Sequence, residues 1–171
     1  GSTNDTARRC PSGFFLSRTN GVSRDNCAEC PKGSYCEEAA IFPTPCSNGT
    51  YGDRTRLGTS LCSGFCPSGY FCPLGSKTPI PCYPGSFSRE GSTSCTGCPS
   101  GYVASGIGSV ACRLCPAGTY VPSAVNCIEC SPGRFQPGPG QSSCSLCPSG
   151  YFQGLSNATF CMRARGGAAP K

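Results

Sequence analysis

Cysteine constrains this chain more than any other residue type, because 18 of its 171 positions are Cys. That share is typical of disulfide scaffolds, and an even number allows every cysteine to pair. Cytosolic thiols are kept reduced, so the composition predicts an extracellular chain, either secreted or part of a cell-surface ectodomain. Three N-glycosylation sequons, at Asn4, Asn48 and Asn157, agree with a secretory route and predict a glycoprotein.

The remaining composition argues against one large hydrophobic core. Gly (24) and Pro (17) interrupt nearly every stretch, Trp is absent, and no window keeps a helical apolar period. Such a chain buries too little apolar surface to offset its conformational entropy, so covalent cross-links must stabilise it. The longest apolar run, residues 39–42, is far too short to span a membrane.

A motif of the form C-x-x-G-x-aromatic occurs nine times, with the aromatic one place earlier, at Tyr102, in the copy that begins at Cys98. We number these repeats 1 to 9 by their opening cysteines, which are Cys10, Cys30, Cys46, Cys66, Cys82, Cys98, Cys115, Cys130 and Cys147. Pro often follows the Cys, and a Pro two places before Gly predicts a tight turn in which Gly takes a positive φ. We expect the aromatic rings to lie against disulfides as the main local hydrophobic contacts. An aromatic ladder that stacks on carbohydrate is the alternative, and glycan binding is weakly indicated.

The spacing of the cysteines predicts a chain of short modules. We expect simple modules at 10–29, 98–114, 115–129, 130–146 and 147–161, larger modules at 30–65 and 66–97, and tails at 1–9 and 162–171. In the simple modules the opening and closing cysteines should pair, as Cys10–Cys27, Cys98–Cys112, Cys115–Cys127, Cys130–Cys144 and Cys147–Cys161. Because most modules are two residues apart, we expect a semi-rigid, elongated tandem array.

The two larger modules each contain an extra cysteine, Cys36 or Cys72, and leave their pairing open. A crossed scheme gives Cys30–Cys46 with Cys36–Cys62, and Cys66–Cys82 with Cys72–Cys95. A sequential scheme gives Cys30–Cys36 with Cys46–Cys62, and Cys66–Cys72 with Cys82–Cys95. Four cysteines always allow three connectivities, so the sequence does not choose between these schemes.

These motifs resemble the ephrin-receptor-like cysteine-rich repeat. The segment CPSGYFCPLGSKTPIPC at 66–82 is similar to that family's CPxGYxCPxGxxxPxPC variant, and the simple unit resembles modules of tumour necrosis factor receptors and EGF-like domains. The resemblance covers residues 10–161. It implies a small disulfide-rich fold with minimal β-hairpins and little or no helix. Long arrays of such repeats occur in animal receptors and in apicomplexan cysteine-repeat modular surface proteins, which are linked to host-cell attachment.

Catalytic and metal chemistry find little support in the sequence. The chain has no His, which removes the commonest general base and the usual nucleophile–base pairs. Cys112 and Cys115, with Cys127 and Cys130, have the spacing of a zinc site. Repetition of that spacing along the chain favours disulfides instead. We therefore expect no enzyme, no catalytic residue, no metal and no cofactor, and the low charge density argues against nucleic-acid binding.

The remaining functional hypothesis is protein recognition on the cell surface. We expect a non-catalytic ectodomain module for protein–protein interaction or cell adhesion, whose partner is another extracellular or cell-surface protein. The longest loops between cysteines, 11–26 and 47–61, are the candidate binding segments, and they carry Arg18, Arg24, Arg54 and Arg56. The alternative is a structural spacer or surface-coat component, in which the array itself is the function.

Complete oxidation is the first testable consequence. Because all 18 cysteines should be in disulfides, iodoacetamide should label none of them in the denatured, unreduced protein, and all of them after reduction. Intact-mass spectrometry before and after reduction measures this directly. Alkylation of two or more cysteines without reductant would instead support a metal site or a redox site.

Overall fold

The fold is a series of very short antiparallel hairpins. The computed structural model describes residues 9–17 and 26–164, and within these ranges eighteen strands form nine two-stranded sheets and no α-helix. The hairpins are β1 (Phe14–Leu16) with β2 (Cys27–Glu29), β3 (Ser34–Tyr35) with β4 (Thr44–Pro45), β5 (Thr50–Tyr51) with β6 (Gly64–Phe65), β7 (Tyr70–Phe71) with β8 (Ile80–Pro81), β9 (Ser86–Phe87) with β10 (Thr96–Gly97), β11 (Tyr102–Val103) with β12 (Arg113–Leu114), β13 (Thr119–Ser123) with β14 (Asn126–Glu129), β15 (Arg134–Phe135) with β16 (Ser145–Leu146), and β17 (Tyr151–Phe152) with β18 (Met162–Arg163). Each repeat supplies one hairpin, which confirms a small disulfide-rich fold.

Each repeat opens with the same β-turn. The residue after the turn glycine donates its N–H to the carbonyl of the residue after the opening cysteine, as Ser34 does to Pro31 at 3.2 Å. The nine turn glycines all have a positive φ, between 80° and 88°, at the third position of the turn, where a type II turn needs a residue without a Cβ. The invariant glycine of the motif therefore sets the chain direction into each hairpin.

The second strand of each hairpin leads directly into the next repeat. The opening cysteine of the following repeat donates its N–H to the carbonyl of the preceding turn glycine, as Cys46 does to Gly33 at 2.9 Å. One bond therefore closes a hairpin and positions the next turn. Isolated hairpins of this length are not stable in water, so other contacts must hold them.

Disulfides fall within repeats and never between them. In the single-disulfide repeats the opening cysteine pairs with the closing one, in Cys10–Cys27, Cys98–Cys112, Cys115–Cys127, Cys130–Cys144 and Cys147–Cys161. The two larger modules have the sequential arrangement, with Cys30–Cys36, Cys46–Cys62, Cys66–Cys72 and Cys82–Cys95. The crossed scheme is not present.

Cystine sulfurs, more than aromatic rings, fill the interior. Most of the fully buried side chains are cysteines, whereas the rings of the motif are largely half-buried. Tyr35 shows the expected contact with a neighbouring disulfide, since it packs against Cys46, Cys62 and Leu57. In repeat 6 the buried residue is Val103, which takes the position that a ring holds elsewhere. The rings therefore shield the disulfides and do not replace them as the core.

Three backbone hydrogen bonds join one repeat to the next, and we call this set the clasp. Between repeats 2 and 3, Gly33 donates its N–H to Gly52 O at 2.8 Å, and Cys36 donates to Leu57 O at 2.8 Å. In the opposite direction, Arg56 in the loop of repeat 3 donates to Cys30 O at 3.0 Å. All three bonds also form between repeats 1 and 2, 3 and 4, 4 and 5, 7 and 8, and 8 and 9.

The loop residue of the clasp has a left-handed conformation. Gly occupies this position in four repeats and another residue in three, with φ between 59° and 72°, at Ala39, Arg56, Gly75, Gly91, Gly108, Gly140 and Asn157. In all of these repeats except the one with Gly108, the left-handed residue turns the loop back, so that its N–H reaches the opening cysteine of the preceding repeat. We refer to it as the loop hinge residue.

The loop that carries the hinge residue also contacts the turn of the repeat two places earlier in the chain. A Cβ built on Gly101, in repeat 6, would lie 2.5 Å from the carbonyl oxygen of Gly140, the loop hinge residue of repeat 8. A Cβ on Gly13, in repeat 1, would lie 2.6 Å from the carbonyl oxygen of Arg56, in repeat 3. The turn glycine is therefore required twice, for its positive φ and for the close approach of a loop two repeats later.

The chain divides into two compact units. The first comprises Gly1–Cys82 with Ser88–Cys95, and the second Tyr83–Phe87 with Thr96–Lys171. Four complete clasps lie in the first unit and two in the second. The predicted module boundaries stay predictions. No helix among the described residues is long and apolar enough to cross a membrane.

The two roles of the turn glycine can be separated by a matched pair of substitutions. Gly101 and Gly133 have nearly the same φ, 84° and 83°, but only Gly101 faces backbone atoms, and nothing lies within 4 Å of a Cβ on Gly133. Gly133→Ala should lower the free energy of unfolding by about 1 kcal/mol, from backbone strain alone. Gly101→Ala should lower it by about 3 kcal/mol, because a backbone clash adds to the same strain.

Guanidinium titration of both variants, followed by tyrosine fluorescence, gives the two free energies of unfolding. Equal losses for the two variants would show that the loop of repeat 8 does not press on the turn of repeat 6.

Candidate interaction surface

The clasp fixes the loops through backbone atoms and leaves many of their side chains outside. In repeat 2 the loop residues Ile41 and Phe42 are exposed, and in repeat 4 Leu74 is exposed. Large apolar side chains on loops whose backbone is held in place are favourable contact points for another protein, because little conformational entropy is lost on binding. Sequence reasoning looked for arginines and missed these residues. They can be found as the large apolar residues between the aromatic position and the next cysteine.

Arg56 is engaged within the chain. Its guanidinium forms an ion pair with Glu29 and lies over the ring of Phe14, 5.2 Å from the centroid. Its N–H belongs to the clasp, and its carbonyl lies against Gly13. Arg56 therefore links repeats 1, 2 and 3, although 59% of its side-chain surface is exposed. The structure gives it a role in packing, and its predicted role in partner binding stays a prediction.

Arg54 lies in the same loop and is also exposed. The neighbouring residue Asp53 accepts a hydrogen bond from the hydroxyl of Ser63 at 2.6 Å, and its N–H donates to that hydroxyl at 3.1 Å. These bonds hold the backbone around Arg54 beside β6, which ends at Phe65. Of the other predicted binding and glycosylation residues, Arg18, Arg24 and Asn4 lie outside the described residues.

The two described sequons have different settings. Asn48 is exposed in the opening turn of repeat 3, and the hydroxyl of Thr50 in the same sequon donates to Ser47 O at 2.8 Å. Asn157 is the loop hinge residue of repeat 9, with φ 59°, and its side-chain oxygen lies against Gly118. Asn tolerates this left-handed conformation better than most residues, which accounts for its presence there without glycosylation. Occupancy of either sequon stays a prediction.

An open groove of about 360 Å³ lies beside Asn48 in the first unit. Its walls are Asn48, Gly49, Phe65, Glu90 and Gly91. Phe65 is 58% exposed and supplies the apolar part, and Glu90 supplies a negative charge. Because Gly91 is a loop hinge residue held by Cys66, both walls of the groove are fixed by clasps.

A second cavity, of about 240 Å³, lies in the second unit, where only one of the three clasp bonds forms between repeats 6 and 7. The hairpin of repeat 7 is tight, and its strand register shifts between Tyr120 and Ser123. The loop of this repeat therefore does not cover Cys98. The walls are mainly Cys98–Tyr102 and 121–124. Cys98 is half-buried, whereas most opening cysteines are fully buried.

The cysteines and the buried polar side chains of the described residues are all engaged within the chain. All 18 cysteines are in disulfides. Within the described ranges no group of three or more His, Cys, Asp or Glu side chains could hold a metal ion, and no buried side-chain polar atom lacks a hydrogen-bond partner. What remains on the surface is a set of apolar and charged side chains on a fixed backbone.

One protein-family model matches the chain, described as tyrosine-protein kinase ephrin type A/B receptor-like. It matches twice, over residues 85–124 and 118–162. These two segments are adjacent, and each holds the turn, hairpin and disulfide described above. No curated protein sequence shows significant similarity to the chain.

Proposed function

Because the cysteine-rich repeats of residues 85–162 match the ephrin-receptor-like family model, we propose that the chain is a non-catalytic part of an extracellular receptor-type ectodomain and binds another cell-surface protein. The disulfides and the family match both support an extracellular location. Adhesion, in which the partner belongs to another cell, is the form of binding that we favour.

The observation that carries this proposal is the groove beside Asn48 and its surroundings. Phe65 and Leu61 are both large, apolar and at least half exposed. Glu90 lines the groove, and the exposed Arg54 follows Asp53, which is hydrogen-bonded to Ser63 just before β6. Interface centres are typically apolar or aromatic with a charged rim, and Arg is enriched among the residues that dominate binding energy. The partner we expect is a folded protein with an apolar projection beside acidic groups.

Cell binding of the purified, labelled chain tests this proposal. Binding to intact cells should be saturable, and Phe65→Ser and Arg54→Glu should each weaken it by roughly tenfold. Both side chains are exposed, so neither change should lower stability much. Matched controls are Phe160→Ser and Arg113→Glu, which make the same changes at exposed positions of the second unit. Flow cytometry over a concentration series gives the apparent Kd.

Two outcomes would contradict the proposal. One is an absence of saturable binding to every cell type tested. The other is an equal loss of binding in the control variants, which would mean that general charge or apolarity drives attachment.

A spacer function is the second candidate, and the clasp is the observation that favours it. The clasp uses backbone atoms, so repeats of different sequence stack in the same way. Removing residues 115–146 deletes repeats 7 and 8 and keeps the two-residue spacing between cysteines. A spacer should change its function in proportion to the repeats removed, whereas binding through repeats 3 to 5 should be unchanged.

A further inference from the structure

One hairpin of the first unit carries two residues that no other repeat has at the same positions. The second residue of the opening turn is Asn only in repeat 3, at Asn48, and it is Ser, Lys, Pro or Ala in the other repeats. Among the nine described hairpins, the last residue of the second strand is aromatic only in repeat 3, at Phe65. Both departures fall in the hairpin of β5 and β6, so they belong to one surface.

The strand register places Phe65 beside the glycosylation sequon of this repeat, residues 48–50. Thr50 is the cross-strand partner of Phe65, and Cys66, the next residue, donates its N–H to Gly49 O at 2.8 Å. Side chains that are directly opposite in an antiparallel pair are close neighbours. Asn48 and Phe65 accordingly line the same groove, of about 360 Å³. A volume of this size is within the range of sites that hold small molecules.

The backbone of the sequon is held in place on both sides of its asparagine. Thr50 donates its N–H to Ser47 O at 3.0 Å and its hydroxyl to the same oxygen at 2.8 Å. Gly49 donates its N–H to Cys72 O at 2.8 Å as part of the clasp. Asn48 itself is exposed. A group attached to the Asn48 amide therefore leaves the turn at a fixed point of the groove wall.

The remaining walls of the groove have the chemistry that a sugar needs. The Phe65 ring is 58% exposed, and its Cδ1 lies 3.8 Å from a Cβ placed on Gly91, so the loop hinge of repeat 5 supports one side of the ring. The C–H groups on one face of N-acetylglucosamine are apolar, and stacking on the ring removes apolar surface of both from water. The Glu90 carboxylate, also in the wall, supplies acceptors for sugar hydroxyls.

We propose that Asn48 carries an N-linked glycan whose first N-acetylglucosamine fills this groove, stacked on Phe65. In its attachment, Nδ2 of Asn48 forms a bond to C1 of that sugar, the bond from C1 to the pyrophosphate of a lipid-linked donor breaks, and the amide gives up one proton. A sugar tethered in this way is present at the groove at an effective concentration on the order of millimolar, so a weak stacking interaction suffices to hold it. On the proposed function, which this step assumes, the seated sugar covers Phe65 and blocks the partner.

NMR of the chain secreted from eukaryotic cells, with its glycan trimmed to the first N-acetylglucosamine, tests the seat without any partner. Thr6→Ala and Thr159→Ala remove the other two sequons, so that Asn48 alone is glycosylated. The ring current of Phe65 should shift protons of the sugar upfield, and Phe65→Leu should abolish that shift while the amide spectrum is otherwise retained. Leu stands at this strand position in repeats 6 and 8, so the hairpin should accept it.

Cell binding of the same protein, with its glycan untrimmed, tests the blocking of the partner. Asn48→Ser introduces the residue that repeats 1, 4, 6 and 9 have at this position, and it should bind cells more tightly than the glycosylated chain by roughly tenfold or more. The matched control combines Asn48→Ser with an intact sequon at Asn157. It carries its glycan in the second unit and should bind like the chain that has none.

The seat and the proposed function fail in different ways. A secreted chain without a glycan on Asn48, a sugar without an upfield shift, or an equal shift in Phe65→Leu would overturn the seat, whatever the chain binds. Equal cell binding with and without the Asn48 glycan would overturn the blocking of the partner. An upfield shift that depends on Phe65, together with no cell binding by Asn48→Ser, would support the seat and contradict the proposed function instead.

Discussion

The hydrogen bond that most turn glycines donate to the following repeat is the contact on which the rest of this structure depends. The disulfides stabilise single repeats, because every one of the nine closes a loop inside one repeat. They do not fix one repeat against another. A net contribution of about 0.5–1.5 kcal/mol for each of three clasp bonds is comparable with about 3 kcal/mol for one disulfide of this loop length. Order between repeats therefore comes from backbone hydrogen bonds, and order within them from covalent bonds.

This division of roles explains which residues can vary. The turn glycine cannot, since it needs a positive φ and leaves no room for a Cβ where a later loop covers it. The loop hinge residue is less constrained, and Ala39, Arg56 and Asn157 stand where four other repeats have Gly. Many loop side chains outside the clasp are exposed, such as Phe42 and Leu74, so they can differ from repeat to repeat. The repeats thus combine an unvarying frame with changeable surfaces, which is the arrangement that recognition requires.

Much of the fold could be predicted from the motif. A cysteine, a proline and a glycine at fixed spacing predict the turn, and the spacing of successive cysteines predicts short closed loops. The pairing of Cys36 and Cys72 could not be predicted, because the spacing of the cysteines fits both the crossed and the sequential scheme. The clasp could not be predicted either, since it is made by backbone atoms that carry no residue preference except at glycine.

The candidate surface was harder to predict than the fold. Arg56 was chosen for its charge, but its guanidinium meets Glu29 and Phe14, which belong to other repeats. From the sequence, Phe65 and Ile41 would be assigned to a small core, since an apolar residue between cysteines suggests burial. Their exposure follows from the cystines, which already fill the interior. In a chain of this kind, apolar residues on loops point to recognition more often than charged ones.

Amide hydrogen exchange on the folded protein is the most direct test of the clasp. The account predicts that the N–H groups of Gly33, Gly49 and Gly69, which donate to the following repeat, exchange slowly. The N–H of Gly150 has no backbone acceptor among the described residues and should exchange much faster, although its φ and turn are nearly the same. Equal, fast exchange at all four glycines would mean that the repeats are held by their disulfides alone, and would contradict the account.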